Sequence, residues 1–466
     1  CITNRDRMFD CPQNLREEEM FEVPEWAANK VVYQIFPSRF AATEPVDKEL
    51  WYKAPITPMD DLHGNLRGII EHMDDIQNLG IDVLYMTPIF QSNSCHKYDT
   101  TDYYKIDPSF GTTEDLKELV QKAHERGMKV VLDAVYNHTG REFFAFADIL
   151  ENGEKSKYRD WYFIDGFPLK SEWGEIPNFK CFGYYGGMPK LNLKNPEVEK
   201  YITDVACYWI KECDIDGWRL DVGDEISHFF WKNFRKAVKA VKKDLLIIGE
   251  IWHYAGDFLE GDEWDTVMNY PFYLNLIDLL ADEKITVSQF VQNLGYLKGR
   301  LNKNCYPLMW NLIDSHDTAR FLHLCNDNKK KQHLAAAFQL LLPGMPMIYY
   351  GDEYAMPGAN DPDCRRGMYW DEEYQDKEMY EWYKRLIQVR KSHACIVEGE
   401  LAGIVTEDEE GTIVLIRKNG EETIAMIFNC SSSAKKFNEY TEKYNLLTEN
   451  TFDGNVEGFD AAVIVL

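Results

Sequence analysis

Short runs of β-branched and aromatic residues recur along most of the chain, and most are followed by a stretch of helical periodicity. The runs are VVYQIF (31–36), DVLYMT (82–87), KVVLDAV (129–135), DGWRLD (216–221), LLIIGE (245–250), TVMNY (266–270), LMWNLID (308–314) and MPMIYYG (345–351). In EDLKELVQKAHERG (114–127), Leu116, Leu119, Val120 and Ala123 share one face and Gly127 supplies the stop. FFWKNFRKAVKAVKK (229–243) is a second clear helix. Eight strand–helix units predict an α/β chain folded as a (β/α)8 TIM barrel rather than a doubly wound sheet.

Two stretches break the repeat. Residues 140–194 are rich in aromatics, Gly and Pro with weak periodicity, which predicts a small domain inserted after strand three. From about residue 391 the pattern changes to GTIVLIRK (411–418), ETIAMIFN (422–429) and AAVIVL (461–466), separated by polar turns, which predicts a C-terminal antiparallel β domain over 391–466. The barrel then occupies 30–139 and 195–390, and the acidic, irregular residues 1–29 read as an arm or linker.

Composition narrows the partners. The formal net charge of -27 argues against nucleic acid and anionic membranes, and leaves a neutral substrate as the natural one. The 12 Trp, 27 Tyr and 25 Phe fill a large core, and those near polar loops suit stacking on sugar rings. Eleven cysteines without a CxxC pair suggest a reducing, cytoplasmic setting. A secreted form stays open, because the sequence begins CITN rather than with Met. No run of about 18 apolar residues is present.

In such a barrel the chemistry sits at the C-terminal ends of the strands. Arg219 and Asp221 lie two apart in DGWRLD, so they point the same way, with Asp221 at the mouth and Arg219 one layer below. An arginine there can hold an aspartate ionised, and an ionised carboxylate can attack an anomeric carbon. A structural ion pair has the same appearance, and the other strand ends weigh against it. Strand three ends at Asp133, Asn137 and His138, strand five at Glu250 and Trp252, and strand seven at His316, Asp317 and Arg320. Retaining glycoside hydrolysis needs two carboxyls about 5 Å apart, which neighbouring strands four and five can supply. Asp221 is then the nucleophile and Glu250 the acid/base.

DAVYNH, GWRLDVGDE, GEIW and LIDSHDT resemble, in order and spacing, the four signature regions of the alpha-amylase family of glycoside hydrolases. The resemblance covers about residues 30–466. It implies that Asp317 is the third catalytic carboxylate, that Arg219 orients Asp221, and that His138 and His316 bond hydroxyls of the sugar stacked on Tyr98. MPKLN (188–192), HKYDTTDYY (96–104) and GANDPDCRRGMYW (358–370) are similar to the neopullulanase, cyclomaltodextrinase and maltogenic amylase group. That likeness implies that Asp361 and Arg365 line a sugar site, with Phe258 on the acceptor side; Trp252, beyond Glu250, is a further candidate for binding substrate. It also implies α-1,4 cleavage of maltooligosaccharides and cyclodextrins, and α-1,6 cleavage of pullulan in some members. An alpha-amylase acting on starch, an α-glucosidase or transglycosylase, and a non-catalytic sugar-binding barrel are the alternatives.

The sequence departs from that group in three places. Residues 1–29 stand where the group usually has a β domain that aids dimerisation and narrows the cleft, so dimerisation and small-ring preference stay open, and with them monomer or homo-oligomer. VGDE replaces VANE after Asp221, and Phe258 replaces a common Trp. RFAATEPVDKEL (39–50) lacks the oxygen ligands of a calcium loop, so no metal is expected to be essential; a calcium ion near Asn137 remains the open alternative.

Overall fold

The computed structural model describes residues 22–170 and 175–466. Eight strands lie one within each expected run: β1 (Val32–Ile35), β2 (Val83–Met86), β3 (Lys129–Ala134), β4 (Gly217–Leu220), β5 (Leu246–Gly249), β6 (Thr266–Val267), β7 (Trp310–Asn311) and β8 (Met345–Tyr349). They pair in the order β6-β5-β4-β3-β2-β1-β8-β7, each pairing parallel. A parallel bridge from Met268, just past β6, to Trp310 of β7 closes the ring.

Both faces of these strands are buried, which is why they read as continuous apolar runs. Alternate residues divide between two cores. Val32, Val83, Val131, Leu246, Ile248 and Met347 fill the barrel interior. Leu84, Leu132, Trp218, Leu220 and Ile247 face the surrounding helices. The helix Thr113–Glu125 has the expected buried face and opens with a capping box between Thr112 and Asp115.

The insertion is a small aromatic-packed unit. Its helix Phe144–Asn152 places Phe146 against Tyr162 (5.0 Å between centroids) and Phe179 (5.2 Å). A bridge from His138 to Lys190 ties it to the end of β3, and one from Tyr162 to Leu191 joins two of its own segments; residues 171–174 lie outside the described residues.

The C-terminal region forms a six-stranded antiparallel sheet whose main strands are Glu400–Glu407, Thr412–Asn419, Glu422–Asn429 and Asp460–Val465. Phe428 stacks on Phe338 of the barrel helix Lys329–Leu341 at 4.3 Å. The edge strand Glu400–Glu407 escapes the sequence pattern because six of its eight residues are exposed. Of the stretch expected to be an arm or linker, residues 1–21 lie outside the described residues. The rest docks on the bottom of the barrel: Ala27 is buried and the Trp26 indole donates to the Asp244 carbonyl (2.8 Å).

Glu353 ties β1 to the loop after β8. It accepts from the Tyr33 hydroxyl (2.6 Å) and the Gly351 amide (2.9 Å). Burial pushes its carboxyl from 4.5 up to about 7. The fold therefore favours the protonated form, a contribution complete below about 4.5 and lost as pH rises through about 7. The Tm of Glu353→Gln should fall less than the parent's between about pH 5 and about pH 8. Parallel Tm profiles would show that another group titrates.

Candidate active site

Strand alternation carries the inward series 217, 219, 221 along β4 and 246, 248, 250 along β5. Asp133 of β3 pairs in register with Arg219, and Arg219 with Ile248. Asp133 and Arg219 thus meet inside the barrel, and Asp221 and Glu250 sit one step beyond, at its mouth. Gly249 lets the chain reach that point: a Cβ there would fall 2.2 Å from the Trp264 ring.

Arg219 is wholly buried beneath three carboxyls. Its Nη1 donates to both oxygens of Asp133 (3.1 Å each) and to Asp221 Oδ1 (2.9 Å). Its Nη2 lies 2.9 Å from Glu250 Oε2. Burial opposes the arginine's charge, but Asp133 and Glu250 outweigh it and hold the guanidinium protonated. The sequence reading leaves Asp221 ionised under Arg219 alone. In the structure burial pushes the Asp221 carboxyl well above the ordinary range; Arg219 opposes this, and Glu250 and Asp133 add to it. Burial likewise raises Asp133 to about 6 against the pull of Arg219. One positive charge therefore faces three carboxyls, which disfavours ionising all of them together.

A second chain of hydrogen bonds supports it. The Gln34 amide donates to His316 Nδ1 (2.7 Å), which leaves the Nε2–H facing the Tyr98 hydroxyl (2.5 Å) and Asp317 Oδ2 (3.2 Å). Tyr98 in turn donates to Asp133 Oδ2 (3.1 Å), as does Tyr85 (2.7 Å). Burial, then the charges of Arg365 and Arg219, hold His316 far below its usual pKa, so the ring is neutral.

Above the cluster opens a cavity of about 480 Å³. Asp221, Glu250, Asp317, Tyr98, His138, Trp252, Asp361 and Arg365 line it. Arg365 pairs with Asp361 (2.8 Å) and reaches Asp317 (3.4 Å). Trp252 stacks on Tyr270 at 4.1 Å and its indole donates to Glu250 Oε1 (3.1 Å). His138 gives its Nε2–H to the Tyr98 carbonyl (3.1 Å) and presents its ring, with burial lowering its pKa to about 4.

Three of the candidate residues are not in the cavity wall, and of these Arg219 stands where its expected part, orienting Asp221, requires. His316 is fully buried behind Tyr98, and Arg219 lies under the floor. Phe258 is packed between His228 (4.3 Å) and Trp264 (4.1 Å), because the short turn Gly256–Phe258 folds it inward. The wall also holds His96, Phe182, Met188, Val222, Asp224 and Glu225, to which the sequence reading assigns no role. His96 sits two residues from Tyr98 in a stretch already singled out. Phe182, stacked on His138 at 5.3 Å, comes from the aperiodic insertion and carries no local signal.

The position considered for calcium holds an ammonium. Lys190 Nζ donates to Asn137 Oδ1, to the Glu225 carbonyl (3.0 Å) and to Glu225 Oε2 (3.1 Å). Asn137 Nδ2 donates to Glu225 Oε2 as well (3.0 Å). These oxygens are committed to a lysine and an amide, and the donor set does not fit a metal ion.

Removing the central cation strands buried carboxyls. Arg219→Met should cost about 3–5 kcal/mol in urea unfolding and abolish turnover of any substrate. A cost below about 1 kcal/mol would show that the carboxyls do not depend on it.

Comparison with known proteins agrees with this geometry. Residues 34–399 match the family described as Alpha amylase, catalytic domain. The chain is 46% identical over 430 residues to a cyclomaltodextrinase of Geobacillus thermopakistaniensis, covering 91% of this chain and 73% of that protein. It is 42% identical to neopullulanase 2 of Thermoactinomyces vulgaris, covering 89% and 72%. Among solved structures, a cyclic alpha-maltosyl-(1→6)-maltose hydrolase of Arthrobacter globiformis superposes with a TM-score of 0.87 at 36% identity, over 95% of this chain and 100% of that one. The chain belongs to the alpha-amylase family and is a glycoside hydrolase.

Proposed function

We propose that the protein cleaves α-1,4 bonds of maltooligosaccharides and cyclodextrins by double displacement, with α-1,6 bonds of pullulan as a secondary target. The observation that carries this reading is the bridging of Asp221 and Glu250 by the two ends of one guanidinium at the cavity floor. That bridging suits the short carboxyl separation of retaining enzymes, about 5–5.5 Å, rather than the wider gap an inverting enzyme leaves for water. Asp221 Oδ1 is held by Arg219, which leaves Oδ2 for the anomeric carbon. Glu250 protonates the departing oxygen, then takes a proton from the water that releases the sugar. Asp317 and Arg365 hold hydroxyls of the same sugar, and Tyr98 stacks beneath it. Trp252, 43% exposed at the rim, offers a face to the leaving-group sugars.

The relatives named cyclomaltodextrinase and neopullulanase support this substrate class. No calcium is required in this reading, since Lys190 supplies the cation between the insertion and the barrel. A reducing compartment accords with the nine described cysteines, all of which are free. Among the described residues no helix is long and apolar enough to cross a membrane.

A product time course on β-cyclodextrin, maltoheptaose, pullulan and soluble starch tests the reading, each run with and without EDTA. Cyclodextrin should open fastest, maltose and glucose should accumulate, and EDTA should leave the rates unchanged. Fastest loss of starch with intact cyclodextrin would make the protein an alpha-amylase of open cleft. Loss of activity with EDTA, restored by calcium, would overturn the role given to Lys190.

A further inference from the structure

Val222, the residue after Asp221, adopts φ 46° and ψ 45°. This is left-handed backbone, which a β-branched side chain rarely enters, and such strain persists only where its surroundings impose it. Here they do. The Asp221 amide donates to the Ala134 carbonyl (3.1 Å), and the Val222 carbonyl accepts from Glu225 (3.1 Å). The Gly223 carbonyl accepts from the Trp231 indole (2.8 Å) and the Ile226 amide (3.3 Å). The turn stops β4 where the amide of residue 222 meets the end of β5. That amide donates to Glu250 Oε2 at 2.9 Å.

The two oxygens of Glu250 are thereby made unequal. Oε2 faces the Val222 N–H and the Arg219 guanidinium, both at 2.9 Å. Oε1 has the Trp252 indole at 3.1 Å. Oε2 thus meets a full positive charge and a backbone amide, and Oε1 a single neutral donor.

Resting on the roles proposed for Asp221 and Glu250, we infer that the strained Val222 amide is a positioning group that keeps the proton of Glu250 on Oε1, where the leaving oxygen collects it. In that step Asp221 Oδ2 bonds the anomeric carbon. The pair of electrons of the breaking C–O bond stays on the leaving oxygen, and that oxygen takes the Oε1 proton. The same turn thus ends the nucleophile's strand and sets the acid on its neighbour.

The test removes one N–H and nothing else. The hydroxy-acid analogue of valine at position 222 converts the Asp221–Val222 amide to an ester. Two substrates are compared by kcat/KM: maltotriose, whose leaving sugar needs a proton, and α-maltosyl fluoride, whose fluoride leaves without one. The ester should lose about tenfold or more on maltotriose and less than about twofold on the fluoride. Equal losses on both substrates, or no loss on either, would overturn the inference, since a merely structural role cannot tell the leaving groups apart. If the ester chain does not fold, Trp231→Phe, which leaves the Gly223 carbonyl only the Ile226 amide and so loosens the turn, should show the same bias to a smaller degree, and its absence counts equally against the inference. Glu250→Gln should show the bias in full and Asp221→Asn should lose both activities. Failure of those two would refute the assignment of acid and nucleophile rather than the part played by Val222.

Discussion

A single guanidinium, taken wholly out of water, carries the electrostatics of this site. Arg219 cannot shed its proton, because Asp133 and Glu250 hold it charged against burial. Nor can the carboxyls leave it, since each would then be an uncompensated buried charge. The cost of burying Arg219 is offset only if the carboxyls stand at its two ends, and this requirement places the nucleophile and the acid. With three carboxyls facing one cation, burial and the neighbouring carboxyls raise Asp133 and Asp221 against the pull of Arg219. That imbalance suits an enzyme that must start with one acid protonated and one ionised.

The barrel makes the arrangement with little freedom. Parallel register sets Asp133 beside Arg219, and strand alternation sends 219, 221, 248 and 250 inward together. Layers of Val, Ile and Met fill the lower interior, and the charged cluster occupies the upper inward positions. Most of the rest of the site comes from loops: Tyr98 and His316, the latter anchored on Gln34 of β1, brace Asp133, and the insertion brings Phe182 against His138.

This division explains what could be read from the sequence. All eight strands lie within expected runs because buried parallel strands announce themselves locally, and residues two apart on a strand share a face whatever the rest of the chain does. Asp221 and Glu250 were legible for that reason. Phe258 was not, because it lies beyond a strand end, where the path of a short turn decides whether a ring meets solvent or packs on Trp264. His316, at a strand end like its neighbours, is buried against Tyr98, a placement that the pattern of strand ends does not disclose. Phe182 and Lys190 depend on how the insertion closes over the barrel, a long-range contact without periodicity. The strain at Val222 has no sequence signature, since valine is an unexpected residue for left-handed backbone.

The central claim, that Arg219 draws Asp221 and Glu250 close enough for a covalent sugar intermediate, has a direct consequence for stereochemistry. Proton NMR can follow the anomeric signal of the reducing end first formed when β-cyclodextrin or maltoheptaose is cleaved, before mutarotation scrambles it. Two successive displacements at the anomeric carbon, each with inversion, predict the α-anomer as the initial product, with the β-anomer growing in later. Initial formation of the β-anomer would mean a single displacement by water and would contradict the account.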